Sequence, residues 1–389
     1  MTTDSQHVDF LDYMRAIAFL SVFAYHSTSI ADHISWGTWF RDFQVSNSSL
    51  VLFPLNFGWL GVAVFFVVSG FCIHFSFHQH GRGWANFFLR RFFRLYPAYL
   101  AAVLLFAFLI PETRLHFSAS GNPQGWSQLI THLLLIHNFN RDTYYGINSA
   151  FWSLAVEVQL YLLYPVLVLM VSRLGWRRSL CIVGTIESAI HIAKTVLLFN
   201  AVLPTHFLTK FSPALLEHGI QIVGKLNPSP LAFWFSWSLG AWVADAYLKN
   251  KLLPLVKTST TTWFACVVAC FIFRPLSEFI FPATCLLTAA VISHLLVKQP
   301  VSVSRSNLLR QIGTWSYSLY LLHQPMLAVL TTNFLLIWPF YYTLPRVLFC
   351  LTLGLMIIPA GMLWYKYIEQ PGIALGKSLI VRLGLKGNP

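Results

Sequence analysis

Apolar runs about as long as a bilayer is thick recur from one end of this chain to the other, and a water-soluble core has no place for so many of them. They fall at 10–30, 51–77, 95–111, 151–171, 179–199, 231–248, 260–275, 278–297, 312–334 and 345–366. Inside lipid every backbone N–H and C=O must be satisfied within the segment, so each run reads as a helix. The expected fold is all-α: one transmembrane domain over residues 1–389, a bundle of about ten spans with both termini cytoplasmic. Leu129 to Ile136 is too short to cross and reads as interfacial. The first run lacks a basic n-region and a small-residue cleavage site, so it stays as span one.

Composition agrees. Only 10% of the 389 residues are charged, where a soluble domain carries roughly a quarter. The net charge of +13 would suit nucleic acid, yet no basic tail, zinc spacing or RNA-binding signature accompanies it. Seventeen Lys and Arg fall in the segments assigned to the cytoplasm and seven in those opposite, which is the usual membrane bias. Opposite lie three loops, 31–50, 112–150 and 200–230, rich in Gly, Pro, Asn, Ser and Trp. The six cysteines sit in or beside apolar stretches and read as packing residues; Cys266 and Cys270 have no second ligand pair, and no metal is expected.

Ionisable residues stand out against this background, because a charge in the bilayer is costly and turns toward a cavity or the bundle interior. In DFLDYMRAIAFLSVFAYH (9–26), Arg15 and His26 are about three turns apart, so a helix sets them on one face with His26 ~16 Å further along. His26 can exchange a proton near neutral pH, whereas Arg15 suits a phosphate or a carboxylate such as Asp12. A helix-end anchor and an interhelical hydrogen bond explain either residue alone equally well.

Arg90, Arg91 and Arg94, in GWANFFLRRFFRLYPAY (83–99), lie between spans two and three on the cytoplasmic side, with Pro97 marking a helix start or kink. Guanidinium forks at this spacing suit multidentate phosphate binding, although a topology-setting basic loop accounts for them better when they are taken alone. Glu157, in FWSLAVEVQLYLLYP (151–165), falls near the depth of His26 and is expected to hydrogen-bond its imidazole, with a structural ion pair as the plainer reading. TWSYSLYLLHQP (314–325) puts His323 deep in span nine, with Ser316, Tyr317 and Ser318 nearer the inner face; helix bridging is the simpler account. Glu187, His191 and Lys194 share one helix face, where they line a polar path or, the preferred reading, neutralise one another, while Gly61 and Gly70 permit close helix approach.

Taken in order, LDYMRAIAFLSVFAYH, GVAVFFVVSGF (61–71), RRFFRLYPAY (90–99), WSLAVEVQLYLLYP (152–165), SYSLYLLHQP (316–325) and YIEQP (367–371) resemble the membrane-bound acyltransferase 3 family, which includes bacterial polysaccharide and lipopolysaccharide O-acetyltransferases. The resemblance implies about ten helices, a cytoplasmic acyl-CoA donor, and transfer of its acyl group, usually acetyl, to a sugar hydroxyl at the extracytoplasmic face. Some members append a soluble esterase-like domain; none is expected here. Where the family often has Glu-Lys-Pro, this chain has Glu369, Gln370 and Pro371, which weakens any role for a basic residue there.

Joined to the reading of the residues, the resemblance implies that Arg90, Arg91 and Arg94, with Arg15, hold the phosphates of acetyl-CoA. His26, oriented by Glu157, then serves as general base or forms an acyl-histidine. His323, Ser153, Trp152, Tyr317 and Ser318 shape the substrate tunnel or stabilise the oxyanion. The expected partners are acyl-CoA, a glycan acceptor and the lipid of the plasma (inner) membrane, without nucleic acid; a homodimer is left open. The alternative is a secondary transporter or flippase for a sugar or lipid-linked sugar, since intramembrane His, Glu and Lys also serve proton relays. No inverted repeat supports it, and it has no need of the RRxxR run.

Overall fold

The computed structural model describes residues 10–32, 53–79, 83–110, 113–115, 124–202, 228–298, 307–337 and 343–385. The expected loops 31–50 and 200–230 lie almost wholly outside these residues, as does part of 112–150. Among the described residues there is no strand.

The helices in order are α1 (Phe10–Asp32), α2 (Gly61–Gln79), α3 (Trp84–Leu104), α4 (Gln124–Leu133), α5 (Arg141–Tyr144), α6 (Phe151–Val202), α7 (Trp234–Leu248), α8 (Thr260–Ile272), α9 (Ile280–Lys298), α10 (Leu308–Ile337), α11 (Thr343–Gly354), α12 (Ile357–Trp364) and α13 (Gln370–Arg382). Among the described residues five helical stretches are long and apolar enough to cross a membrane: Phe57–Gln79, Trp84–Leu109, Phe151–Val196, Pro275–Val297 and Leu344–Arg382.

The expected runs 10–30, 231–248, 260–275 and 312–334 form helices that are not among these five; two further differences from the expected ten spans have local causes. Gly175 sits at φ 75° and ψ 165° inside α6, a backbone region open to glycine and to few other residues. It turns α6 into a hairpin. The first leg runs with α7, as Trp152 lies 5.8 Å from Phe233 and Tyr164 6.0 Å from Trp237. The second leg runs back along α7, from Trp176 at Asp245 to Glu187 at Ser236. The long apolar stretch thus contains both expected runs, 151–171 and 179–199. At the other end the chain does not stop at 366: a π-helical turn, Tyr365–Glu369, leads into α13. That helix lies against α3, with Gly372 over Pro97 and the Phe93 carbonyl, the acceptor that Pro97 leaves without its helical N–H.

α3 also begins earlier than expected. It starts at Trp84 and passes straight through Pro97, so the arginine cluster is on a helix and not in a loop. α1, with its Asp, Arg and His, stands among α2, α10, α11 and the 3-10 turn Phe53–Leu60, where its polar residues meet protein and not lipid. α2 and α7 approach each other closely at two glycines. A side chain at Gly70 would meet the Trp237 carbonyl, and one at Gly240 would meet the Val67 carbonyl. The expected mutual neutralisation in α6 does not occur: Glu187 accepts from the Ser236 hydroxyl at 2.5 Å, and Lys194 pairs with Glu278 at 2.6 Å. Neighbouring helices simply offer nearer partners.

The segment expected at the interface forms α4 and a turn through Leu135, whose φ is 56°. Tyr96 and Tyr99 of α3 donate to the Leu133 and His132 carbonyls at 3.0 and 2.9 Å, and Gln159 of α6 donates to the Leu135 carbonyl at 2.8 Å. Beneath it the rings of His132 and His137 stack at 3.9 Å. Burial pushes the His132 imidazole down to about 4.

Candidate active site

A cavity of about 500 Å³ opens between α1, α2, α3, α10 and α13. Its walls carry Arg15, Arg90, Arg91, Arg94 and Lys377, against the single carboxylate of Asp12. Arg15 is held by its own turn and by α2: Nη1 donates to Asp12 Oδ1 at 2.7 Å and Nη2 to Cys72 Sγ at 2.9 Å. Arg90 Nε donates to Asn86 at 2.6 Å, and the Arg91 guanidinium lies 6.0 Å above the Phe87 ring. The buried Arg91 Nε has no hydrogen-bond partner among the described residues. Such a fork of guanidiniums, with donors to spare, matches the geometry of phosphate oxygens.

A second, narrower cavity of about 110 Å³ continues inward. It shares Arg15, Cys72, Arg91 and Arg94 with the first, so the two are contiguous. Ser69, Ser153, Glu157, Tyr161, Ser316, Tyr317 and Tyr320 line it. Here the expected bond between Glu157 and His26 is corrected. Glu157 Oε1 accepts from Ser69 Oγ and from Tyr161 Oη, each at 2.5 Å. The two hydroxyls lie one turn away on α6 and across on α2. Glu157 therefore fixes the cavity wall and does not touch the imidazole.

Beyond this cavity stand two histidines. Tyr320 Oη lies 2.8 Å from Ser153 Oγ, and the Tyr320 ring is 5.2 Å from that of His323. The His323 ring is in turn 5.1 Å from His26. His323 Nδ1 lies 2.8 Å from the Tyr320 carbonyl, an acceptor, so Nδ1 carries the proton and the lone pair sits on Nε2. That Nε2 is buried without a partner among the described residues. His26 and His323 line neither of these two cavities; Tyr320, a wall residue of the narrow one, is in ring contact with His323.

The structure thus gathers Arg15, Arg90, Arg91 and Arg94 at the wide mouth, and Arg15, Ser153, Glu157 and Tyr317 around the narrow part. Two expected tunnel residues stand elsewhere. Ser318 donates to Glu369 Oε2 at 2.6 Å because the helix turns it toward the π-helical segment, and Trp152 stacks 6.0 Å from Tyr144. Sequence reasoning missed Tyr320, Ser69 and Lys377. Tyr320 sits one turn before His323 in a motif already singled out; Ser69 stands beside Gly70 in an apolar run that reads as packing; Lys377 lies beyond the last expected span.

A family model described as an acyltransferase domain matches residues 8–365. An acyltransferase, MdmB, of Streptomyces mycarofaciens is 27% identical over 80% of this chain and 76% of its own length. Nodulation protein 10 of Rhizobium leguminosarum bv. viciae is 25% identical over 97% of this chain and 96% of its own. The peptidoglycan O-acetyltransferase OatA of Listeria monocytogenes is 25% identical over 84% of this chain, which covers 50% of that relative. No solved structure matches the chain.

Proposed function

This chain belongs to the acyltransferase 3 family, and on that premise we propose that it is an integral membrane O-acyltransferase that carries an acyl group, acetyl first of all, from cytoplasmic acyl-CoA to a hydroxyl of an extracytoplasmic or lipid-linked glycan. The observation that carries this reading is the contiguity of a five-cation cavity with a narrow one that ends, at Tyr320, beside the two imidazoles. In this reading the ten-span bundle sits with the arginine mouth and both termini at the cytoplasmic face of the plasma membrane.

Arg90, Arg91, Arg94, Arg15 and Lys377 hold the phosphates of CoA, and the pantetheine arm extends into the narrow cavity. Its thioester displaces the Tyr320 side chain from Ser153 and so meets the histidines. One imidazole takes the proton of the acceptor hydroxyl, the oxygen attacks the thioester carbonyl, the C–S bond breaks, and the proton passes to the CoA thiolate. Alternatively His26 Nε2 or Nδ1 attacks first, CoA leaves, and the acyl-imidazole is then cleaved by the acceptor hydroxyl with His323 as base. The hydroxyls of Ser153 and Tyr320 are placed to stabilise the oxyanion of either route. Relatives named for peptidoglycan O-acetylation support a sugar hydroxyl as acceptor.

Purified protein in nanodiscs, given acetyl-CoA labelled in the acetyl group, tests the reading: it should bind the donor saturably and release CoA when membrane glycan is supplied. Absence of both binding and CoA release overturns it and returns the chain to the transporter class.

A further inference from the structure

On the face of α2 turned away from the basic cavity, His74 and His78 are one turn apart and both meet α7. The two rings lie 4.3 Å apart, and their ring nitrogens and an Asp245 oxygen all fall within 4.8 Å of one another. We propose that His74, His78 and Asp245 form a binding site for one divalent transition-metal ion of the zinc class, which fastens α2 to α7 beside the arginine mouth.

The donor set is the first support. Two imidazole nitrogens and one carboxylate oxygen are what zinc and cobalt prefer, and an i, i+4 histidine pair on a helix is a recurrent way to supply two of the three. Distances come next. His74 Nε2 lies 3.2 Å from Asp245 Oδ1, close to the ~3.4 Å edge of a tetrahedron with bonds of about 2.1 Å. Small side-chain rotations close the remaining gap.

The third support is the outer shell, which is already in place. Ligating imidazoles nearly always hydrogen-bond through their other nitrogen, and ligating carboxylates through their other oxygen. His78 Nδ1 lies 3.1 Å from the His74 carbonyl, which can only accept, so its lone pair is on Nε2. His74 Nδ1 is 3.1 Å from the Tyr164 hydroxyl, which serves either tautomer, and Asp245 Oδ2 accepts from Trp176 Nε1 at 2.8 Å. His74 and Asp245 are themselves 4% and 5% exposed, so two of the three ligands are already withdrawn from solvent before any ion arrives. Three helices thus converge on one point.

A cation is also already favoured there. Lys249 places its ammonium 2.7 Å from Asp245 Oδ1. Its side chain is 47% exposed and is free to swing into solvent, so a divalent ion exchanges one positive charge for another.

The test is a metal titration of the tag-free full chain in nanodiscs, with Co²⁺ as a spectroscopic probe and Zn²⁺ in competition. One equivalent of Co²⁺ should give ligand-field absorption bands that Zn²⁺ abolishes. His78→Ala and Asp245→Asn should each lower affinity by about tenfold or more, while Lys249→Met, which removes the competing ammonium and no ligand, should retain the bands and bind at least as tightly. Absence of bands in the unaltered protein, bands that survive both ligand substitutions, or bands lost in Lys249→Met would each overturn the site. Monodispersity of every variant on gel filtration separates loss of a ligand from loss of the fold.

Discussion

The imidazoles of His26 on α1 and His323 on α10 face one another with ring centroids 5.1 Å apart. His323 is fully buried and His26 only 6% exposed, and Tyr320, a wall residue of the narrow cavity, is in ring contact with His323. Two proton-exchanging groups buried side by side allow one to act on the acceptor while the other acts on the acyl group.

Replacing His26 by Ala should therefore lower acetyl transfer by roughly 10² to 10⁴, the range of a lost acid–base group, and leave acetyl-CoA affinity unchanged. His323→Gln keeps the volume and removes the second imidazole, with a loss of the same order. Radiolabel transfer measured beside calorimetric binding distinguishes the steps, and full activity in either variant removes that residue from the chemistry.

The basic mouth should behave as a grip and nothing more. Arg91→Gln deletes a charged hydrogen-bond donor worth about 1.5–3 kcal/mol, so CoA should bind roughly 10- to 150-fold more weakly, with turnover at saturating donor maintained. Lys377→Met should show a smaller effect in the same direction. Unchanged affinity in a titration would leave the cluster as a topology signal alone.

Glu157→Gln probes the corrected hydrogen bond. Its carboxylate holds Ser69 and Tyr161, so the amide should cost roughly 1–3 kcal/mol of stability and raise KM as the cavity wall loosens. The pH optimum should stay where it is. A shift of the optimum would mean that Glu157 acts on an imidazole after all.

Acid should loosen the turn after α4. Because burial holds His132 down at about 4 while the unfolded imidazole titrates near 6.5, the unfolded chain binds the extra proton between those values. Stability is whole above about pH 6.5 and falls as pH drops toward about 4. Thermal unfolding from pH 7.5 to 5 should show that slope, and His132→Phe should lessen it, the remainder coming from the stacked His137, which burial also pushes down; an unchanged slope would place the acid sensitivity elsewhere.

Much of the site was legible because it rests on spacing along single helices. Arg15 and His26 are on one helix, the three arginines share another, and Ser153 and Glu157 a third; period alone fixes which of these point together. The partner of Glu157 was not legible, since equal depth in two spans says nothing about which helices are neighbours. Depth gave His26, whereas packing gave Ser69 and Tyr161. Ser318 and Trp152 failed for a related reason: a residue in a functional motif still faces whichever way its helix turns it.

The sequence by itself determined that the chain is helical and built for a membrane, because apolar runs of bilayer length admit few other structures, and it marked which few polar residues are costly enough to matter. Tertiary structure alone decided that α13 folds back on α3 to add Lys377 to the arginine mouth, that Gly175 folds one apolar stretch into a hairpin, and that Tyr320 stands before the histidines. Each of these depends on contacts between segments far apart in the chain. Their energies come from which helix faces meet, and no local pattern of residues specifies that.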